Sequence, residues 1–186
     1  MTVSPELDQR FRDAAAAEGL LDVGFDVVDS PIGPLLVAAT DRGLARIFFD
    51  ADPELHLERL AKAYGPRVLR SAPTVDTAHR QLDEYFAGSR NSFALDVDLR
   101  GAAPFARQVL DELARVPYGH TTTYGTLAAK VGAPRAARAV GTVMHRNPIP
   151  IVLPCHRVVG ASGSLTGYAG GLDVKERLLR LEGALL

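Results

Sequence analysis

The chain contains very little cysteine and no long run of apolar residues. Its 186 residues include one cysteine, Cys155, which excludes an intramolecular disulfide framework and a zinc site built from several cysteines. No stretch of about 18 consecutive apolar residues occurs, so we expect no membrane span. The N-terminus is acidic and rich in alanine, which is unlike a signal peptide. With 47% hydrophobic residues, the sequence predicts a soluble, cytoplasmic, globular protein.

Charge divides the chain into two unlike halves. Residues 1–99 contain 10 Lys and Arg against 17 Asp and Glu, whereas residues 100–186 contain 11 against 5. A basic half suggests contact with a polyanion such as nucleic acid. Two ordinary solvated surfaces would give the same imbalance, so charge alone favours nucleic acid only slightly.

The first half shows the pattern of a small α/β domain. A helix is predicted from Ser4-Pro5-Glu6, which combines a hydroxyl N-cap, a proline and an early acid, to about Glu18. Apolar residues alternate with others over residues 23–28, and short turns follow, which indicates strands. Further strands are expected at 35–39, 44–49, 68–69 and 93–99, and helices at 53–64 and 74–87. The predicted organisation is an N-terminal extension at 1–20, this α/β domain at 21–99 and a second domain at 100–186.

The second half is mainly helical and contains a candidate helix-turn-helix. One short helix is predicted at 123–131 and another at 135–144, separated by the breaker Gly132-Ala133-Pro134. The second helix has small residues together with Arg135 and Arg138. Small residues allow close approach to a groove, while arginines bind phosphates or reach into the base stack. A helical hairpin packed through its alanines is the alternative.

The single cysteine follows this pair of helices, in the stretch Pro154-Cys155-His156-Arg157. A thiol is a nucleophile as the thiolate, and a neighbouring imidazole and guanidinium could raise the thiolate fraction. A lone cysteine is more often a small buried apolar residue, so the Cys-His pair alone is weak evidence. A glycine-rich loop follows that contains one aromatic residue, Tyr168, and such a loop can fold over a small planar ligand.

These features together match a known family. The matching positions are Tyr124, Arg135 to Gly141, Asn147-Pro148, Pro154 to Val159, Gly167-Tyr168, Gly170 to Leu172, Lys175 and Glu182-Gly183. In them the chain resembles the O6-alkylguanine-DNA alkyltransferases, also called the methylated-DNA–protein-cysteine methyltransferase family. The resemblance is near-continuous over about 104–186, weaker over 23–99, and leaves out the first twenty or so residues.

The resemblance implies an α+β fold. Its N-terminal part is a ribonuclease-H-like α/β roll with an antiparallel sheet, and its C-terminal part is a helical domain with a winged-helix-like helix-turn-helix. It implies DNA repair by irreversible, stoichiometric transfer of an alkyl group from O6-alkylguanine, and from O4-alkylthymine, to Cys155, without a cofactor or metal. The partner is double-stranded DNA bound through the minor groove, with the target base turned out of the stack. A monomer in solution is expected, and cooperative binding along DNA is compatible with it.

The resemblance also implies roles for individual residues. Cys155 is the expected nucleophile, His156 its base through a water, and Glu182 the group that orients the imidazole. Tyr124 is expected to protonate the purine ring, and Asn147 to hold the turn before the cysteine. Arg138 is expected to fill the space that the base leaves, and further DNA contacts are expected from Thr123, Arg135, Ala136, Ala137 and Gly141. The expected base pocket consists of Tyr124, Val158, Tyr168, Ala169 and Gly170.

The chain departs from the family pattern at one pocket position. Family members often have serine after the tyrosine that corresponds to Tyr168, whereas this chain has Ala169. A backbone N–H contact to the base would survive this change, and a hydroxyl contact would not. Some relatives bind zinc through cysteines in the N-terminal half, and because this chain has none there, no such site is expected.

Two other functions stay open at the level of residues. The first is a DNA-binding module without catalysis, either a damage flag or a regulator, in which Cys155 is structural. The second is a cysteine hydrolase or acyl transferase with a Cys155-His156-Glu182 triad. Each of these functions leaves one feature without a role. That feature is either the stretch Pro154-Cys155-His156-Arg157, here called the cysteine box, or the helix that contains Arg135 and Arg138.

Overall fold

The computed structural model of the chain describes residues 4–185 and contains helices and strands in mixed order. The helices are α1 Pro5–Ala17, α2 Leu57–Tyr64, α3 Ala72–Phe86, α4 Pro104–Ala114, α5 Tyr124–Lys130, α6 Ala137–His145 and α7 Leu172–Leu181. The strands are β1 Val23–Val28, β2 Leu35–Thr40, β3 Gly43–Phe48, β4 Val68–Arg70, β5 Thr122–Thr123 and β6 Val158–Val159. Short 3₁₀ turns lie at Pro53–Leu55 and Cys155–Arg157.

The chain forms two compact units. One contains the chain up to Asp83 together with Ala94–Asp98, and the other contains Glu84–Phe93 and the chain from Leu99 onward. Helix α3 therefore begins in the first unit and ends in the second. Among residues 4–185, no helix has the length and apolar character that a lipid bilayer requires.

The first unit is built on a four-stranded sheet with the order β3-β2-β1-β4. Strands β1, β2 and β3 are antiparallel neighbours, as the short turns between them predict, and β4 joins β1 in parallel. β2 is buried along nearly its whole length. A core cluster forms where Leu60 of α2 packs with side chains of β1 and β2, namely Val23, Phe25, Leu36 and Ala38.

The predicted start of the first helix is confirmed. Ser4 is the N-cap of α1, and its hydroxyl accepts a hydrogen bond from the backbone N–H of Leu7 at 3.2 Å. This bond satisfies one of the N–H groups that a helix leaves unpaired in its first turn. The helix ends at Ala17, one residue before the predicted end.

The strand predicted at 93–99 is wrong. Only Val97 pairs with a sheet residue, in a single bridge to Leu44, although side chains do alternate in burial from Phe93 to Val97. The backbone of Ala94 instead exchanges two hydrogen bonds with the side chain of Gln81. A side-chain amide that satisfies the backbone in this way replaces a strand partner.

The second unit packs helices α4 to α7 around a small two-stranded parallel pair. Thr122 pairs with Val158 and Thr123 with Val159, so β5 joins the start of α5 to the end of the turn that contains Cys155. The buried apolar residues of the second unit include Val109, Leu110 and Leu113 of α4, Leu127 of α5, Val140 of α6 and Leu178 of α7. The predicted helices are present, but α6 begins two residues later than expected.

Candidate active site and nucleic-acid interface

Cys155 lies at the start of a 3₁₀ turn and is 4% exposed. The chain is not extended here, because the carbonyl of Pro154 accepts the N–H of Arg157 at 2.9 Å and closes a tight turn. Four residues earlier, the buried Ile151 has a φ of 75°. This left-handed region is strained for a β-branched residue.

Asn147 connects the end of α6 to the cysteine turn. Its side-chain amide Nδ2 donates to the carbonyl of Leu153 at 2.7 Å and to Cys155 Sγ at 3.1 Å. Its Oδ1 accepts the N–H of Ile149 at 3.1 Å. Three bonds from one half-buried amide fix where the sulfur lies.

The environment of the thiol opposes ionisation. Burial raises the pKa of Cys155 to about 11, although the hydrogen bond from Asn147 and the charge of Lys175 both lower it. The thiolate is thus scarce at neutral pH unless a base removes the proton as the sulfur reacts. A reaction of this thiol as the thiolate at neutral pH would need a general base.

His156 forms a fully buried pair with Glu182. The imidazole Nε2 lies 2.8 Å from Oε1 of the carboxylate, and neither side chain is exposed. Burial lowers the pKa of His156, and this outweighs the opposing effect of Glu182. Within residues 4–185, the other ring nitrogen, Nδ1, is buried and has no hydrogen-bond partner.

Glu182 is surrounded by donors that the sequence did not reveal. Arg157 donates from Nε to Oε2 at 2.8 Å and from Nη2 to Oε1 at 2.9 Å. The hydroxyl of Tyr85, near the end of α3, donates to Oε1 at 2.7 Å. The N–H of Gly119 approaches Oε2 at 3.4 Å. Arg157 stood beside the cysteine in the sequence, but no local signal connected Tyr85 with a residue 97 positions away.

These donors determine the charge of the pair. Burial alone would raise the pKa of Glu182, but hydrogen bonds and charge from His156 and Arg157 outweigh it and lower the pKa to about 2. The carboxylate is therefore ionised at neutral pH while the imidazole is neutral. A neutral imidazole that donates from Nε2 to a carboxylate carries its lone pair on Nδ1. In this tautomer, Nδ1 is the ring atom that can accept a proton.

A buried lysine connects the loop after the cysteine to β6. Lys175 of α7 is not exposed, and its ammonium donates to the carbonyl of Val158 at 2.6 Å and to that of Thr166 at 3.0 Å. The hydroxyl of Thr166 lies 2.7 Å from that of Tyr124, at the start of α5. Tyr124 and Val158, both expected in the base pocket, thus share one hydrogen-bonded chain.

The other expected pocket residues lie farther along the same loop. The hydroxyl of Tyr168 is buried, and its ring meets that of His156 edge to face at 6.5 Å between centroids. Ala169 is exposed and Gly170 is half-buried. The structure thus brings Tyr168 next to His156 and leaves Ala169 open to solvent.

Helices α5 and α6 pack against each other as the predicted helix-turn-helix. The hydroxyl of Thr123 caps α5 by accepting the N–H of Thr126 at 3.1 Å. Arg135 and Ala136 precede α6 rather than lying in it, because the N–H of Ala136 closes a turn onto the carbonyl of Ala133 at 2.8 Å.

Helix α6 presents one buried and one exposed face. The residues of α6 that face solvent are Arg138, Ala139, Thr142 and His145, and Arg135 before the helix is also exposed. Ala137 and Gly141 are half-buried. A surface of this kind offers two guanidinium groups among small residues, which suits a nucleic-acid groove.

No group of three or more His, Cys, Asp or Glu side chains within residues 4–185 lies close enough to hold a metal ion. The negative charge of Glu182 is instead met by Arg157.

Two known protein families match the chain, one in each half, and the matches leave out the first 23 residues. The family described as 6-O-methylguanine DNA methyltransferase, DNA binding domain, matches residues 104–184. The family described as 6-O-methylguanine DNA methyltransferase, ribonuclease-like domain, matches residues 24–99. The chain belongs to the methylated-DNA–protein-cysteine methyltransferase family.

Individual members of this methyltransferase family are similar over most of their length. A methylated-DNA–protein-cysteine methyltransferase of Methanosarcina acetivorans is 43% identical over 86% of this chain and 98% of its own. One from Mycolicibacterium paratuberculosis is 46% identical over 86% and 92%. The structure of Mycobacterium tuberculosis OGT in complex with DNA has a TM-score of 0.75 and 39% identity, covering 87% of this chain and 93% of that one. The expected two-domain α+β fold is thereby confirmed.

Proposed function

We propose that this protein repairs DNA by transferring the alkyl group of O6-alkylguanine, and of O4-alkylthymine, to Cys155. The observation that carries the proposal is that one tight turn contains a thiol held by Asn147 and, at the following residue, a neutral imidazole oriented by the ionised Glu182. This is the nucleophile, base and orienting group of an activated cysteine. It lies in the same unit as the helix-turn-helix, and both family descriptions name this activity.

The nucleophile is generated at the moment of reaction. His156 takes the thiol proton on Nδ1, through a water, and Glu182 stabilises the imidazolium that forms. Arg157 and Tyr85 keep the carboxylate ionised and aimed at Nε2. This arrangement offsets the effect of burial, which raises the pKa of Cys155. The thiolate then forms only while an alkylated nucleobase is bound in the site.

The leaving group is helped by Tyr124. As the sulfur bonds to the alkyl carbon, the bond from that carbon to O6 breaks and its electron pair moves into the purine. Tyr124 donates its proton to the purine ring, and the proton released by Cys155 restores the phenol. The overall change converts thiol and O6-alkylguanine into thioether and guanine, so one molecule repairs one base.

Duplex DNA binds through the surface of α6. Its small residues allow the helix to enter the minor groove, and Arg138 occupies the space of the base that leaves the stack. Arg135 contacts phosphate from the turn before the helix. Thr123, Ala136, Ala137 and Gly141 line the approach, and the loop with Tyr168, Ala169 and Gly170 covers the extruded base. The protein acts as a monomer.

A non-catalytic damage-binding role is not favoured. Such a role gives no reason for the ionised Glu182 to lie against His156 beside a thiol that accepts a hydrogen bond from Asn147. A hydrolase would turn over many times without DNA, which the match to a DNA-binding family does not support.

The test is the intact mass of the protein after incubation with a duplex that contains one O6-methylguanine. One added methyl group, mapped to the peptide with Cys155, is expected, and the oligonucleotide should then contain guanine. The matched control is Cys155→Ala, which should bind the duplex and gain no mass. Damage that persists beside an unmodified Cys155 would contradict the proposal.

A further inference from the structure

Thr166 is the hydrogen-bond partner of the Tyr124 hydroxyl within residues 4–185. The two oxygen atoms lie 2.7 Å apart and join α5 to the loop between β6 and α7. We propose that Thr166 is a positioning residue that holds the Tyr124 hydroxyl and stabilises the charge it develops during alkyl transfer. This inference rests on the proposed role of Tyr124 as proton donor.

The position of Thr166 is itself fixed. Its backbone carbonyl accepts from Lys175, whose ammonium also donates to Val158. Lys175 is buried, so its two bonds compete with few waters, and a hydrogen bond to a charged group is stronger than a neutral one. Thr166 is therefore held from its backbone by one buried cation, and its side chain is left to act on Tyr124.

Two hydroxyls can exchange the roles of donor and acceptor. Each carries one O–H and two lone pairs, and each can rotate. Before reaction Tyr124 can donate to Thr166. When Tyr124 gives its proton to the purine, its oxygen becomes negative, and the hydroxyl of Thr166 can turn to donate to it. The bond is then charge-assisted, and it strengthens as the transition state is reached.

The alternative is that Thr166 only shapes the loop. If Thr166 only shapes the loop, any residue with a side chain of the same shape would serve. Loss of that shape would weaken binding of the nucleobase as much as it slows the transfer step. A role in stabilising charge requires the hydroxyl and acts only when Tyr124 can lose a proton. The two readings therefore separate in a mutant cycle.

The experiment measures the single-turnover rate of methyl transfer from an O6-methylguanine duplex at saturating and subsaturating DNA. Thr166→Val keeps the β-branched shape and removes the hydroxyl, and we expect the saturated rate to fall by about 10- to 100-fold, as for a lost bond to a charged group. Thr166→Ser should restore most of the rate. Ser162→Ala, which removes an exposed hydroxyl from the same loop, is the matched control and should react like the wild type.

The decisive comparison is made in Tyr124→Phe. There the further change Thr166→Val should have no effect on the saturated rate. An equal loss in both backgrounds, a loss confined to DNA affinity, or a Thr166→Val protein as fast as the wild type would overturn the role of Thr166 while the repair function stands. Failure of the wild type to gain a methyl group would overturn the repair function itself, and this inference with it.

Discussion

His156 Nε2 and Glu182 Oε1 lie 2.8 Å apart in a pair with no exposed side-chain surface. The same carboxylate accepts two bonds from Arg157 and one from Tyr85. Glu182 therefore brings an imidazole, a guanidinium and the hydroxyl of a tyrosine from an earlier helix around one negative charge.

Removing the base should change the pH dependence of alkyl transfer. In the wild type the rate should stay nearly level through neutral pH and fall only below the ordinary His156 pKa of 6.5, because burial lowers that pKa. In His156→Ala the reaction depends on thiolate formed without help, so the rate should be lower at pH 7. It should then rise roughly tenfold per pH unit toward the Cys155 pKa of about 11. Single-turnover rates between about pH 5 and 8, where stability is usually greatest, test this. An unchanged profile in the variant would show that His156 is not the base.

Neutralising Glu182 should lower the free energy of unfolding far more than neutralising an exposed carboxylate in α7, the helix that ends just before it. Glu182→Gln leaves Arg157 buried without its counter-charge, and we expect a loss of about 3–5 kcal/mol in the free energy of unfolding. Glu176→Gln, which breaks the exposed pair with Arg180 in α7, should cost about 0.5 kcal/mol or less. Urea unfolding of the three proteins at pH 7 measures both, and equal losses would contradict the structure.

The same carboxylate should contribute to unfolding in acid. The pKa of Glu182 is about 2 in the folded protein against an ordinary 4.5. A carboxyl group with a lowered folded pKa stabilises the fold fully above the unfolded pKa, and this contribution is lost as pH falls through the folded one. The free energy of unfolding should therefore decline between pH 4.5 and about 2. This part of the decline should be absent in Glu182→Gln.

The tyrosine of α3 should matter through its hydroxyl. Tyr85 is fully buried, and its bond to Glu182 is made to a charged acceptor, so Tyr85→Phe should lower the free energy of unfolding by about 1.5–3 kcal/mol. Tyr118→Phe removes a hydroxyl that binds the carbonyl of Leu181 near solvent and should have a smaller effect. If both variants unfold at the same urea concentration, the buried bond of Tyr85 stabilises the fold no more than the exposed bond of Tyr118.

Alkylation should destabilise the protein that carries it out. The methyl group added to the sulfur must fit beside Asn147, at a position where Cys155 is only 4% exposed. Overpacking of this kind costs about 1–3 kcal/mol, so the Tm should fall after reaction. Asn147→Ala starts from a lower Tm and should lose less on alkylation. Calorimetry before and after reaction distinguishes the two, and a Tm that rises would be the opposite result.

The arginine of α6 should act on DNA rather than on chemistry. Arg138→Ala should lower the rate with duplex O6-methylguanine and leave the slow reaction with the free base unchanged, because only the duplex requires the space in the stack to be filled. Arg115→Ala, at the end of α4, is the control and should change neither rate. Equal losses with both substrates would place Arg138 in the chemistry instead.

Much of the fold could be predicted because its signals are local. The cap at Ser4 and the turns between β1, β2 and β3 depend on residues a few positions apart. The prediction of a strand at 93–99 was wrong. Alternation of apolar and polar residues shows which side chains are buried, but it does not show whether a partner strand exists. Gln81 satisfied that backbone instead.

The site was only partly accessible from the sequence. The cysteine box and the resemblance led to Cys155, His156 and Glu182, which the structure brings into one unit. The role of Tyr85 could not be predicted, because its hydroxyl meets a carboxylate from the far end of the chain. Contacts of that range leave no pattern in one sequence.

Ile151 shows that the cysteine box is not an autonomous motif. A β-branched residue with a φ of 75° stores strain of about 1–3 kcal/mol, and such a conformation persists only where surrounding structure imposes it. The chain that delivers Cys155 is thus bent against its own preference by the packing of the second unit. A peptide with this sequence would relax and release the sulfur from Asn147. Reactivity toward an alkylated base is then a property of the folded unit. The same short sequence grafted onto another scaffold would not be expected to transfer an alkyl group.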